Sequence, residues 1–488
     1  MSQDIRNQEP KAVWSHFADL NAVPRPSKKE ERVIQFMVDF GKKLHLETFV
    51  DKVGNVIIKK LATAGMENRK TIVMQGHLDM VHQKNSDTVF DFDKEGIKMF
   101  VDGDWIKAQG TTLGADNGLG VAAIMAVLSS KEIEHPTIEA LFTIDEETGM
   151  TGAMGLEGGV LEGEILLNLD TEEDDEIGIG CAGGVDVTAT RTYLEDATPE
   201  NSTAFSITVK GLNGGHSGMD IIKGLGNANK IMNRILFDGF ANFGLRIADI
   251  NGGSLRNAIP RESAATIIVD NISKELFLFE TNILINNIKE EFSTLETNLV
   301  VEIKEVTSPK KVMDLGVQEG FTRAIYAALN GVYRMSPDVD GLVETSNNIA
   351  RIIVKEGTIK VGCLTRSSSE TNKWDLANSL RSCFELAGFE VEFSGTYPGW
   401  LPNVNSEILK IVSTIYTDLF KEDPRVAACH AGLECGILGQ NYPNIDMVSF
   451  GPTIRGAHSP DERAQISSTQ KFWKLLLEIL KNIPKKNA

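Results

Sequence analysis

Five stretches of the sequence place carboxylates or histidines directly behind apolar runs or just ahead of an apolar helix. TIVMQGHLDMV sets His77 and Asp79 after a strand-like segment, and residues two apart in extended chain face the same side. Asp79 is thereby placed to orient a His77 that ligates a metal. TTLGADNGLGVAAIMAVL holds Asp116 among glycines just before a helix, where a carboxylate meets the helix N-terminus and is able to bridge two cations. TIDEETG crowds Asp145, Glu146 and Glu147 behind the apolar run 138–142, EILLNLDTEE carries Asp170, and IDMVSFGPTIRGAHSPDER carries His458. The chain has only eight histidines, so two in such positions carry weight.

Together these are hard oxygen and borderline nitrogen donors suited to a pair of divalent cations. In a two-metal hydrolase the ions lie about 3.5–4 Å apart, share a bridging carboxylate, activate a water and polarise the scissile carbonyl. A separate carboxylate must take the water's proton and later deliver it to the leaving nitrogen. Adjacent glutamates then divide the work: one ligates, and its neighbour stays free as base. Asp145 is left with a structural hydrogen bond. A solvent-facing His-Asp pair or a solvated acidic loop is the plainer reading of any one stretch, but it does not explain three acids interrupting so apolar a neighbourhood. Gly114, Gly118 and Gly120 make no phosphate cradle, because this stretch has neither G-x-G-x-x-G nor Gly-Lys-Ser/Thr.

The elements that must hold these groups follow from the periodicity. Amphipathic helices at 9–20, 28–45 and 118–130 alternate with short β-rich runs at 46–50, 54–60, 71–75, 138–144 and 164–169. That is the pattern of an α/β layered domain with a parallel or mixed sheet, whose site belongs at the carboxyl ends of the strands. From about 203 the rhythm becomes strand 204–211, helix 220–238, strands 240–250 and 262–270, helix 273–290 and strand 297–305, a β-α-β-β-α-β ferredoxin-like unit. A similar order returns with helix 316–331, strands 342–354 and 357–366, helix 369–387 and strand 389–395, and reads as an internal duplication. After the turn-rich GTYPGWLP, helix 405–420, an apolar run 445–450 and helix 468–483 complete the chain. The expected architecture is an α/β protein of two domains. A discontinuous mixed-sheet domain, 1–185 and 400–488, carries the metal ligands and is interrupted by an α+β domain, 186–399, made of two ferredoxin-like halves.

Bulk properties bound the function. With 488 residues, 42% hydrophobic and 24% charged, the chain is long enough for two or three packed cores. The 68 acids against 49 bases give a net charge of −19, which argues against a nucleic-acid partner. Five cysteines without a C-x-x-C pair suggest neither a disulfide framework nor a thiolate zinc site, and a reducing cytoplasm fits best. MSQDIRNQEPKAVWSHF has no apolar signal region and no window reaches the ~18 apolar residues of a membrane span, so neither secretion nor membrane insertion is expected.

Taken in order, H-L-D, G-A-D-N-G, D-E-E-T-G, N-L-D-T-E, G-G-H-S-G and G-A-H-S-P resemble the co-catalytic zinc exopeptidases related to aminoacylase and carboxypeptidase G. The resemblance extends over nearly the whole chain. It implies two Zn²⁺ per chain, with Co²⁺ or Mn²⁺ as alternatives, held by His77, Asp116, Glu147, Asp170 and His458. Asp116 would bridge, with His77 and Asp170 on one ion and Glu147 and His458 on the other. Glu146 would be the general base and acid, and Asp79 the group orienting His77. The inserted domain would act as a lid in which His216 hydrogen-bonds the oxyanion, Asn257 binds substrate, and the fork of Arg366 takes the free carboxylate of a dipeptide. Glu434 would meet the α-ammonium or serve as a structural carboxylate, while His430 and Cys435 are packing residues. The implied reaction is hydrolysis of unblocked dipeptides, Xaa-His and β-alanyl-histidine among them. An amidohydrolase of N-acyl amino acids or a tripeptidase would share the metal site. A metal-binding module without catalysis would lack the free glutamate, and a two-metal phosphoesterase would need more Arg or Lys near the ligand motifs. Related dipeptidases are often homodimers, but a doubled lid could supply His216 and Arg366 from its own chain.

Overall fold

The apolar runs ahead of the candidate ligands form strands that pair in parallel. In the computed structural model, which describes residues 2–486, Ile72–His77 lies between Ile138–Thr143 and Ile165–Asn168, and Asp446–Ser449 pairs with the latter, all parallel. Their side chains are almost wholly buried, as continuous apolar runs in a sheet covered on both faces should be. Strands Val56–Lys60 and Glu47–Val50 continue one side antiparallel, and Glu176–Cys181 and Arg425–Cys429 the other, making an eight-stranded mixed sheet.

Helix Ala115–Ser129 starts three residues before its expected start and takes Asp116 into its first turn, where the backbone is still non-helical. Every residue from Gly118 to Leu128 is buried, so this is a core helix rather than an amphipathic one. A Cβ at Gly120 would stand 2.4 Å from the Leu169 carbonyl oxygen, and only glycine lets the helix come this close to the chain leading into Asp170. A four-stranded antiparallel sheet joins Met99–Asp102 and Trp105–Ala108 to Arg463–Gln465 and Ile454–Arg455, and the loop inside the last pair carries His458.

The chain divides into two compact units, Met1–Gly180 with Pro402–Ala428 and Leu433–Ala488, and Cys181–Leu401 with Cys429–Gly432. The second is built on a nine-stranded antiparallel sheet. Ser202–Lys210, Arg246–Gly253, Ser263–Asp270 and Val300–Val306, with helices Ala228–Phe243 and Lys274–Glu291, make one β-α-β-β-α-β set. Gly183–Thr192, Val343–Lys355, Thr358–Ser367 and Glu390–Tyr397, with helices Leu315–Ala327 and Glu370–Leu386, make a second.

Two sequence expectations shift here. The duplicated set owns a first strand, Gly183–Thr192, that the sequence reading passed over, and the first set is inserted between this strand and its helix. The helix expected over 220–238 is a short 3₁₀ turn, Ile221–Lys223, followed by an α-helix that begins only at Ala228. Gly224 and Gly226 interrupt it, and the Asn227 side chain caps the later start by accepting from Asn229 N and Lys230 N. The strand expected from 240 accordingly begins at Arg246.

Candidate metal centre

His77 is the last residue of its strand and is 1% exposed. Its Nδ1 lies 3.2 Å from the Asp79 backbone oxygen and 3.4 Å from Asp79 Oδ1, so Nε2 is the nitrogen left to ligate. That atom faces Asp116 Oδ1 at 3.2 Å and Asp170 Oδ1 at 3.5 Å. His458 Nε2 faces the other Asp116 oxygen, Oδ2, at 3.1 Å and Glu147 Oε2 at 3.0 Å. Two triads result, His77–Asp116–Asp170 and Asp116–Glu147–His458, the donor atoms of each lying within 4.8 Å of one another. Asp116 belongs to both and presents one oxygen to each histidine.

These residues fit a pair of divalent cations. Asp170 Oδ1 and Glu147 Oε1 are buried without a hydrogen-bond partner, a costly state for carboxylate oxygens unless a cation faces them. Protons otherwise gather where cations belong. Hydrogen bonds to Asp116 and Glu147 push His458 up to about 11. Burial pulls the His77 ring down, but Asp170, Asp116 and Asp79 outweigh it and hold the ring well above its ordinary value. Burial, then the charges of Asp116 and Glu147, lifts Asp170 to about 6 against the pull of His77. Metal ligands must be deprotonated, so loading the metal-free protein at pH 7 is expected to release roughly two protons per chain, one for each histidine. A pH-indicator titration in weak buffer reads this directly, and loading without proton release would count against both histidines.

The three acids of TIDEETG separate in space. Glu147 joins the second triad, whereas Glu146 stands outside both, within 4.8 Å of donor atoms of His77 and Glu147. Asp79 organises this turn as well as His77: its fully buried carboxylate accepts from Glu146 N at 3.0 Å and Glu147 N at 3.3 Å. Burial first, then Asp170, Glu434 and Glu147, raises the Glu146 carboxyl well above the usual range, with His77 opposing. Asp145 sits in left-handed backbone at φ 53° and accepts from the hydroxyls of Thr148 and Thr151. It braces the turn.

One supporting feature escaped the sequence reading. A buried chain of hydrogen bonds crosses the parallel strands two residues before His77 and Asp170. Gln75 Nε2 and Thr143 Oγ1 each donate to Glu434 Oε2 at 2.6 Å, Asn168 Nδ2 donates to Gln75 Oε1 at 2.6 Å, and Ser449 Oγ donates to Asn168 Oδ1. The signal was a single polar residue inside each apolar run, Gln75 in TIVMQGH and Asn168 in EILLNLD. Cutting the chain with Gln75→Leu leaves buried partners unsatisfied and is expected to cost about 1–3 kcal/mol, measurable by denaturant unfolding. Glu434 is itself buried, with Oε1 unpaired, and burial lifts its carboxyl to about 8.

In the second unit His216 and Arg366 come together. His216 Nδ1 accepts from Gly218 N and Met219 N, which leaves the proton of the neutral ring on Nε2. Burial, then Arg366, lowers this ring and keeps it neutral. Nε2 lies 3.5 Å from Arg366 Nη2, so two donors face the same space, as an anion would require. Arg366 Nη1 donates to the Tyr397 hydroxyl, and its Nε is buried without a partner. Asn257 lies exposed on the adjoining turn, where its carbonyl accepts from Ser217 N. His430 is buried against Ser346 Oγ at 2.7 Å, and burial drives it down to about 3. Cys435 is fully buried.

Known proteins share this arrangement of sequence and fold. The chain is 44% identical over 483 residues to the cytosol non-specific dipeptidase of Escherichia coli strain K12, covering 99% of this chain and 100% of that protein. The crystal structure of aminoacylhistidine dipeptidase from Vibrio alginolyticus matches with a TM-score of 0.94 at 45% identity over 100% of both chains. Aminopeptidase PepT from Bacillus cereus, at 15% identity and a TM-score of 0.57 over 98% of this chain and 99% of that one, shares the fold. The profile of peptidase family M20/M25/M40 matches residues 73–482, and the chain belongs to that family.

Proposed function

We propose that this metallopeptidase hydrolyses the peptide bond of unblocked dipeptides, Xaa-His and β-alanyl-histidine dipeptides included. The observation that carries the reading is the pair of His-carboxylate triads sharing Asp116, with half-buried Glu146 beside His77 and Glu147 and belonging to neither triad. When bound, two divalent cations supply Lewis-acid activation of water and of the scissile carbonyl. We assign zinc, with cobalt or manganese able to occupy the same donors.

Glu146 takes the proton of the attacking water and returns it to the leaving nitrogen. Asp79 keeps His77 and the Glu146–Glu147 turn in register. His216, neutral with a proton on Nε2, donates to the oxyanion; Asn257 assists; and Arg366 takes the substrate's free carboxylate. The unpaired Oε1 of Glu434 is the group we assign to the α-ammonium. We read the sequence ranges 1–185 and 400–488 as the catalytic domain and 186–399 as the lid. We place its action in the cytosol, the compartment named for the Escherichia coli relative, and assign it a homodimer. Among the described residues no helix is long and apolar enough to cross a membrane. An N-acyl amidohydrolase or a tripeptidase is not favoured, because the two relatives matched at 44% and 45% identity along the whole chain are dipeptidases.

The test is a panel of free dipeptides with N-acetylated and tripeptide controls, assayed after metal removal and again with Zn²⁺, Co²⁺ or Mn²⁺. Cleavage of free dipeptides only, restored by metal, is expected. No hydrolysis with any metal, or preference for the blocked substrate, would sink the proposal.

A further inference from the structure

We infer that Glu462 and Arg25 are positioning residues that fix the bridging carboxylate of Asp116, and that Glu462 governs the affinity of the cation held by Asp116, Glu147 and His458. This rests on the two-cation reading above.

Glu462 is 3% exposed, and both its oxygens are spent on backbone amides of one turn. Oε2 accepts from Leu113 N at 2.6 Å and Gly114 N at 2.9 Å, and Oε1 from Ala115 N at 2.7 Å and Asp116 N at 3.4 Å. These are the free amides at the start of helix Ala115–Ser129, and one local side chain would normally satisfy only one or two of them. Here a single carboxylate gathers four, and it comes from the loop that also carries His458. Glu462 N donates to Ser459 O and Ser459 N to Gly456 O, so the segment between the two is folded on itself. A displacement of Glu462 therefore moves the Asp116 turn and the His458 loop relative to one another.

Arg25 grips the same turn by a carbonyl. It is 1% exposed; Nη2 donates to Gly114 O at 2.6 Å, and Nη1 to Leu78 O at 2.9 Å and Asp79 O at 3.0 Å. The Gly114 N–H thus goes to Glu462 and its carbonyl to Arg25. Gly114 has φ 71°, and a Cβ there would stand 2.6 Å from Arg25 Nη2, so the turn accepts only glycine. Arg25 links the chain leaving His77 to the chain entering Asp116, both in the first triad. Glu462 links Asp116 to His458, both in the second.

The experiment compares wild type, Glu462→Gln, Glu462→Asp and Arg25→Lys in zinc titrations against a chromophoric chelator. Visible spectra of the Co²⁺-loaded proteins, kcat and KM are read alongside. Supporting groups around metal ligands typically carry about 10–100-fold in metal affinity. Glu462→Gln is expected to bind the ion held by Asp116, Glu147 and His458 about 10–100-fold more weakly and the other ion, which shares Asp116, less so, with an altered Co²⁺ spectrum. Its kcat should fall at limiting metal and recover at saturating metal while KM holds, and Glu462→Asp should recover part of the loss. Arg25→Lys keeps the charge but loses the planar fork, and is expected to weaken both ions; it carries the test if the Gln variant does not fold. Two ions bound at wild-type affinity in folded Glu462→Gln, or both ions weakened equally there, would overturn the inference and leave the two-cation reading standing. A wild-type chain that binds no second ion would end both.

Discussion

Replacing Glu146 by Gln is expected to leave two cations bound per chain while turnover falls by about 10²–10⁴-fold. Gln keeps the shape of the side chain and leaves untouched the backbone N–H of residue 146 that Asp79 Oδ1 holds, so the turn carrying Glu147 should keep its place. What disappears is the proton acceptor. The pH profile sharpens the test. A base acts only after losing its proton, so kcat/KM of the wild type should rise with pH along an acid limb, and the Gln variant should lose the limb that belongs to residue 146. Metal content by elemental analysis separates the two ways of being wrong. Loss of an ion would make Glu146 a ligand, and an unchanged kcat would remove it from proton transfer.

Chelating the metal is expected to reverse how stability depends on pH. Burial lifts the carboxyls of Glu434 and Glu172 to about 8 and of Asp170 to about 6, and hydrogen bonds to Asp116 and Glu147 lift His458 to about 11. Each of these groups holds its proton more tightly folded than unfolded. Where the folded state binds more protons, stability falls as pH rises. The unfolded carboxyls titrate near 4.5 or below and the histidines near 6.5, so the decline should run from about pH 5 to about pH 8 through the carboxyls and on to about pH 11 through His458. Cations act in the opposite sense, because they bind the deprotonated ligands and compete better as protons become scarce. Free metal at 100 times its Kd adds about 2.7 kcal/mol per site. Melting temperatures measured across this range should slope downward in chelator and should not do so with zinc. Parallel slopes would mean that the carboxylates and histidines at the strand ends do not share a cation site.

Much of the fold was legible because burial leaves a period in the sequence. Parallel strands covered on both faces read as unbroken apolar runs, and the runs ending at His77, Thr143 and Asn168 lie within two residues of their expected limits. Gly183–Thr192 was not legible, since it starts at the last glycine of GIGCAG and pairs with strands more than 150 residues away. Helix Ala228–Phe243 was displaced in the reading because an apolar pair, Ile221–Ile222, precedes two glycines, and Asn227 decides where the helix may begin.

The sequence by itself determined which side chains were available for chemistry: carboxylates and histidines placed where an apolar element begins or ends. Tertiary structure supplies the contacts by which they divide. It turned one oxygen of Asp116 toward His77 and the other toward His458, kept Glu146 out of both triads, and gave Asp145 to two threonine hydroxyls. It also recruited Arg25 and Glu462, whose partners are backbone carbonyls and amides. Every residue carries those backbone groups, so no side-chain pattern marks which of them a distant arginine or glutamate will hold.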